Sequence, residues 1–130
     1  MPETKTVLIV DDEADVIEFV SLALEDIAGI ATISATDGKS GLAKAKEARP
    51  DLIILDVEMP GRDGFLVFHD LKRDEATRGI PVIMLTGIRQ KAGIGFTGAD
   101  MGKFMDAEPD AYLEKPVDPA QLRQLVAGLL

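Results

Sequence analysis

Four short apolar runs in this sequence are each followed at once by residues that can do chemistry. Val7-Leu8-Ile9-Val10 runs into Asp11-Asp12-Glu13, and Leu52-Ile53-Ile54-Leu55 into Asp56. Val82-Ile83-Met84-Leu85 runs into Thr86, and Ala111-Tyr112-Leu113 into Glu114-Lys115-Pro116. In an open parallel sheet, ligands bind outside the carboxyl ends of the strands. If the four runs are such strands, Asp11, Asp12, Asp56, Thr86 and Lys115 meet at one edge. Three carboxylates within a few ångström repel one another strongly in low dielectric. A hard divalent cation relieves that repulsion, and all-oxygen ligands with room for water suit Mg²⁺. A carboxylate beside Mg²⁺ can attack a phosphoryl group and form an acyl phosphate. The cation, the Lys115 ammonium and the Thr86 hydroxyl can then neutralise the equatorial oxygens of the transferred group.

The elements that must position these residues are legible in the apolar pattern. Continuous β-branched runs fit strands buried on both faces, as in a parallel sheet. Ala31-Thr32-Ile33-Ser34 is a weaker strand candidate, as is Ala111-Tyr112-Leu113. Between them lie helical stripes. Val16, Val20, Ala23, Leu24 and Ile27 form the first, with Gly29 as its expected C-cap. Gly41, Leu42, Ala45 and Ala48 form the second, started by Asp37 and stopped by Pro50. Gly64, Val67, Phe68 and Leu71 follow, and then Leu122, Leu125, Val126 and Leu129, opened by Asp118 and Pro119 as N-cap and first residue. Strict β-α alternation predicts an α/β fold: one doubly wound, five-stranded parallel sheet in three layers, with right-handed crossovers. No linker or repeat interrupts it, so residues 1–130 are expected to be a single domain.

The stretch from Gly87 to Pro109 departs from this rhythm. It extends the connection between the fourth and fifth strands and holds Gly87, Gly93, Gly95, Gly98 and Gly102. A short helix is expected inside it, capped by Thr97 or Asp100, with Met101, Phe104 and Met105 on one side. Such a glycine content predicts mobility.

Composition narrows the function further. Lys and Arg number 14 against 23 Asp and Glu, a net charge of −9, which argues against direct nucleic-acid binding because a phosphate-backbone binder needs a basic face. The absence of cysteine rules out disulfides, cysteine-based zinc sites and iron–sulfur sites. No apolar run approaches the ~20 residues of a membrane span, and Met1-Pro2-Glu3-Thr4-Lys5 does not begin a signal peptide. A cytoplasmic protein without membrane insertion is the expectation.

Taken together, Val10-Asp11-Asp12-Glu13, the segment Leu55-Asp56-Val57-Glu58-Met59-Pro60-Gly61-Arg62-Asp63-Gly64, Leu85-Thr86-Gly87 and Asp110-Ala111-Tyr112-Leu113-Glu114-Lys115-Pro116 resemble the receiver (CheY-like) domain of two-component response regulators. The resemblance covers essentially the whole chain. It implies the flavodoxin-like strand order 2-1-3-4-5 and a phosphoacceptor switch with only self-directed phosphoryl chemistry, not an enzyme. By the same resemblance Asp56 is the phosphorylated residue. Asp12 is the direct Mg²⁺ ligand, Asp11 acts through water, and Asp56 and the Glu58 backbone carbonyl complete the metal site. Thr86 and Lys115 contact the phosphoryl group, and Tyr112 is the aromatic that moves with Thr86. The Lys115–Pro116 bond is implied to be cis, which X–Pro bonds permit at small cost. The implied partners are a sensor histidine kinase or phosphotransfer protein and a downstream protein target. Two details depart from the common pattern: Gly87 follows the threonine, and the interval from Thr86 to Lys115 is long.

Other readings of the same residues fit less well. A phosphatase or mutase of the haloacid-dehalogenase type wants an acid two residues after the nucleophile followed by Thr or Val, whereas Glu58 is followed by Met59-Pro60. A flavodoxin-like electron carrier needs a Ser/Thr/Gly-rich phosphate loop after the first strand, where Asp-Asp-Glu stands. Gly93-Ile94-Gly95-Phe96-Thr97-Gly98 spells G-x-G-x-x-G but does not directly follow a strand, as a dinucleotide site requires. His69, three residues from Leu66, which is expected in the core stripe of the third helix, reads as a surface residue rather than a phosphorelay histidine. A degenerate receiver would lack members of the side-chain set that is complete here.

Overall fold

A computed structural model describes residues 4–58, 64–86 and 109–130. Its elements are β1 (Lys5–Val10), α1 (Ala14–Glu25), β2 (Ile30–Ala35), α2 (Gly38–Ala48), β3 (Leu52–Asp56), α3 (Gly64–Arg73), β4 (Val82–Thr86), β5 (Ala111–Glu114) and α4 (Pro119–Leu129). The five strands form one sheet in the order β2-β1-β3-β4-β5, and every pairing is parallel. Both weaker strand candidates are therefore strands, and they occupy the two edges. The helix expected within the Gly87–Pro109 stretch, with Met101, Phe104 and Met105, lies outside the described residues, as does the Gly93–Gly98 motif.

The sheet separates two cores, because successive side chains of a strand point to opposite faces. Leu8, Val10, Ile53, Leu55, Val82 and Met84 meet Ala45 of α2 and Val67, Phe68 and Leu71 of α3. Val7, Ile9, Leu52, Ile54, Ile83 and Leu85 meet Val20, Ala23 and Leu24 of α1 and Leu122 and Val126 of α4. β3, in the middle, is buried at every residue. That is why its sequence is a continuous apolar run and not an alternating one.

Helix boundaries follow capping chemistry. Asp37 accepts a hydrogen bond from the Ser40 N–H at 2.7 Å and opens α2. Asp118 accepts one from the Ala120 N–H at 3.1 Å and opens α4, with Pro119 in the first turn. The C-cap of α2 is Arg49, held left-handed at φ 46° just before Pro50, which cannot continue the helix.

Two expectations are corrected. α1 stops at Glu25 with Asp26 as C-cap, so Gly29 does not cap it. Gly29 has φ 82° within the turn into β2, where its carbonyl accepts the Lys5 N–H at 2.7 Å. Ile27, already past the helix, still packs against the α1–α4 core; the apolar stripe outlasts the helix because the turn keeps it over the sheet. Leu66 is 52% exposed and lies off the core stripe of α3, whose buried residues are Gly64, Val67, Phe68 and Leu71.

Phe68 is among the largest fully buried side chains and seats α3 on the sheet. Replacing it by Ala is expected to cost about 3–5 kcal/mol of stability through lost burial and a residual cavity. Urea denaturation will show this as a lowered midpoint at unchanged slope.

Candidate phosphoacceptor and metal site

The strand order decides which chain segments meet. Pairing of β1 with β3 sets Val10 beside Leu55, so the residues that follow, Asp11 and Asp56, leave the sheet side by side. Pairing of β3 with β4 sets Asp56 beside Leu85, and pairing of β4 with β5 sets Thr86 beside Glu114. Thr86 is linked to the lysine by backbone: the Lys115 N–H donates to the Thr86 carbonyl at 2.7 Å.

Asp11, Asp12 and Asp56 each present a carboxylate oxygen, and these oxygens lie within 4.8 Å of one another. Asp11 is fully buried, Asp56 is 2% exposed, and Asp12 is exposed. The Lys115 ammonium stands 3.0 Å from Asp11 Oδ2 and 3.2 Å from Asp56 Oδ1. Backbone donors hold the other sides: the Glu13 N–H donates to Asp11 Oδ1 at 2.9 Å, and the Glu58 N–H to Asp56 Oδ1 at 3.3 Å. Among the described residues Asp11 Oδ2 meets no well-aligned hydrogen-bond donor, and the Lys115 ammonium at 3.0 Å is the positive group beside it.

This electrostatic balance is incomplete. Burial, and next the Asp11 charge, push the Asp56 carboxyl up to about 7, against the opposing pull of Lys115 and the Glu58 N–H. Burial acts to lower the Lys115 ammonium, but Asp11 and Asp56 outweigh it and hold that group above its ordinary value. Among the described residues the donor set is therefore short of positive charge. Three carboxylates with a buried, poorly satisfied oxygen among them fit a hard divalent cation such as Mg²⁺, which takes oxygen ligands and keeps waters.

The remaining expected residues fall around this cluster. Glu58, exposed, directly follows Val57 at the end of β3. Tyr112 is half-buried, beside Met84 in the sheet register, and packs against the core under α2 and α3. The Lys115–Pro116 bond is cis. His69 stands apart from the site, with Nε2 3.4 Å from Arg73 Nη1 on α3. Sequence reasoning did not foresee that Lys115 pairs with the buried Asp11 as well as with Asp56. Nor did it foresee how closely Gly64 approaches the backbone of Asp56. A glycine at the first position of a helix next to the site was the one signal available for the second.

A family model described as the response regulator receiver domain matches residues 7–127. The chain is 40% identical over 124 residues to the DNA-binding dual master transcriptional regulator RpaA of Synechocystis sp., covering 95% of this chain and 48% of that protein. It is 40% identical over 125 residues to the phosphate regulon transcriptional regulatory protein PhoB of Pseudomonas aeruginosa, covering 96% and 50% respectively. The chain thus spans about half the length of these curated relatives. Among solved structures it is similar to the chemotaxis response regulator CheY4 of Vibrio cholerae, with a TM-score of 0.80 and 32% identity over 98% of this chain and 99% of that one. A response regulator from Chloroflexus aurantiacus gives a TM-score of 0.80 at 31% identity, covering 98% of both chains. This chain belongs to the response regulator receiver domain family, with the CheY-like arrangement of a parallel sheet in the order 2-1-3-4-5.

The raised Asp56 has a consequence for metal-free stability. In the folded protein its proton stays on until about pH 7, and in the unfolded chain only until 3.8. The folded state binds more protons across that window. The contribution of Asp56 is therefore fully present below the unfolded value and is lost as pH rises through the folded one. Urea denaturation in EDTA at about pH 5 and about pH 8 is expected to show a larger loss for the wild type than for Asp56→Asn, with the variant the more stable at the higher pH. A wild-type loss no larger than that of the variant contradicts the assignment.

Proposed function

We propose that this receiver is a phosphoacceptor switch of a two-component system, in which Asp56 takes a phosphoryl group from a histidine kinase, a phosphotransfer protein or a small phosphodonor. The observation that carries this reading is the cluster of Asp11, Asp12 and Asp56 with Lys115 between two of its members. Asp11, Asp12, Asp56 and the Glu58 carbonyl are the groups that would hold Mg²⁺. When bound, the cation supplies positive charge that favours the ionised Asp56 carboxylate and neutralises phosphoryl oxygens.

The chain's own residues do the rest. An Asp56 carboxylate oxygen attacks phosphorus while the bond from phosphorus to the donor's nitrogen or oxygen breaks, and the leaving group departs with that electron pair. Lys115, held at the edge by its backbone bond to Thr86, neutralises charge on the transferred group. The Thr86 hydroxyl, at the end of β4, hydrogen-bonds it. Drawing Thr86 inward shifts the β4 end beside which Tyr112 packs, and that change alters contacts with a downstream protein. The chemistry is self-directed: the phosphoryl group stays on Asp56 until water removes it. A net charge of −9 supports a protein target over nucleic acid for this domain. Among the described residues no helix is long and apolar enough to cross a membrane. A cytoplasmic location and a single receiver unit over residues 1–130 complete the proposal.

Incubation with acetyl phosphate or phosphoramidate and Mg²⁺ is expected to raise the intact mass by one phosphoryl group. Asp56→Asn should show no such rise; a rise that persists in the variant refutes the assignment of Asp56. Mg²⁺ at a hundredfold excess over its Kd should add ~2.7 kcal/mol of stability. Asp12→Ala should remove most of that response while raising the metal-free melting temperature through relief of repulsion.

A further inference from the structure

We infer that Gly64 is a positioning residue for Asp56: its missing side chain lets the first turn of α3 clamp the end of β3 in the place the acidic cluster requires. This rests on the phosphoacceptor reading above and adds to it a residue that does not touch the reacting group. A Cβ placed on Gly64 would lie 2.1 Å from the Asp56 carbonyl oxygen, 2.7 Å from Val57 Cα and 2.9 Å from the Asp56 carbonyl carbon. Real Cβ atoms essentially never come closer than 3.0 Å to such atoms, and all three here are backbone. No side-chain rotation relieves the overlap. Gly41 makes a useful contrast: the three atoms nearest its added Cβ all belong to the Val10 side chain, the closest at 2.8 Å.

The contact is fixed from both sides. The Gly64 N–H donates to the Val57 carbonyl at 2.7 Å, and on the other side the Val57 N–H donates to the Leu85 carbonyl at 3.0 Å. The end of β3 is thus gripped between α3 and β4. α3 cannot simply retreat, because Val67, Phe68 and Leu71 are buried beneath it. A side chain at position 64 must therefore displace residues 56–58, which carry the Asp56 carboxylate and the Glu58 backbone. Those groups are set to within hydrogen-bond distance of Lys115 and of each other. A displacement of about 1 Å in such a constellation can cost on the order of a hundredfold in reactivity.

The test compares Gly64→Ala with Leu24→Ala, a core truncation on the opposite face of the sheet beneath α1. Mg²⁺ affinity is measured by calorimetric titration, and phosphoryl uptake from acetyl phosphate at saturating Mg²⁺ by intact mass. Both variants lose stability. Gly64→Ala is expected to bind Mg²⁺ roughly tenfold or more weakly, as loss of supporting residues commonly does, and to take up phosphoryl more slowly. Leu24→Ala should leave both quantities unchanged. If Gly64→Ala binds Mg²⁺ and accepts phosphoryl as Leu24→Ala does, the inference is overturned. Should circular dichroism show Gly64→Ala unfolded, Phe68→Leu decides. It loosens the seating of α3 without adding an atom at position 64, and its Mg²⁺ affinity is expected to fall below that of Leu24→Ala; equal affinity overturns the inference. A wild type that neither binds Mg²⁺ nor takes up phosphoryl overturns the phosphoacceptor reading itself and this inference with it. A competent wild type beside an equally competent Gly64→Ala overturns only the latter.

Discussion

The Lys115 ammonium between the Asp11 and Asp56 carboxylates is the contact on which the site depends. Asp11 is wholly buried and Asp56 nearly so. Removing either charge from water carries a penalty of several kcal/mol that only a close partner offsets. One ammonium serves both, and it is delivered from the far end of the chain. That delivery requires β1, β3, β4 and β5 to lie in adjacent order, with each strand ending at the same edge. The cis Lys115–Pro116 bond and the Lys115 N–H to Thr86 carbonyl bond lie at the base of the same turn.

Among the described residues a single ammonium stands against three carboxylates and leaves a deficit, which a divalent cation would relieve. The Asp56 carboxyl is pushed up to about 7 by burial and by Asp11, so near neutral pH the metal-free protein holds it near the point of protonation. A bound divalent cation shifts that balance toward the carboxylate. The cost falls on the fold, since an under-compensated cluster lowers the stability of the protein that carries it, a common trade at functional sites. Two well-filled cores, one on each face of the sheet, offset it.

Backbone geometry matters at this edge as much as charge. β3 is buried at every position, and its last residue is the phosphoacceptor candidate. Gly64 and Leu85 hold the next residue, Val57, from opposite sides. The rigid sheet interior thus sets the positions of Asp11 and Asp56. Asp12, by contrast, is exposed to solvent. The chain spans about half the length of the two transcriptional regulators it matches at 40% identity.

Much of this was legible in the residues alone. Apolar runs of Val, Ile and Leu marked β1, β3 and β4, and Asp37 and Asp118 marked the starts of α2 and α4, because strand burial and N-capping are local effects with local signatures. The residues immediately after each run named the candidate site, since a parallel sheet places all strand ends on one edge. The end of α1 was misjudged because its apolar stripe continues through Ile27 into a turn that packs on the same core. Leu66 was misplaced because hydrophobic character does not reveal which side of a helix faces the sheet. Only the tertiary structure decided that Lys115 reaches both Asp11 and Asp56, that Asp56 is driven toward neutrality while Asp12 stays in water, and that Gly64 touches the backbone of Asp56. Each of these is a distance between residues far apart in the chain, fixed by packing, and periodicity carries no measure of such distances.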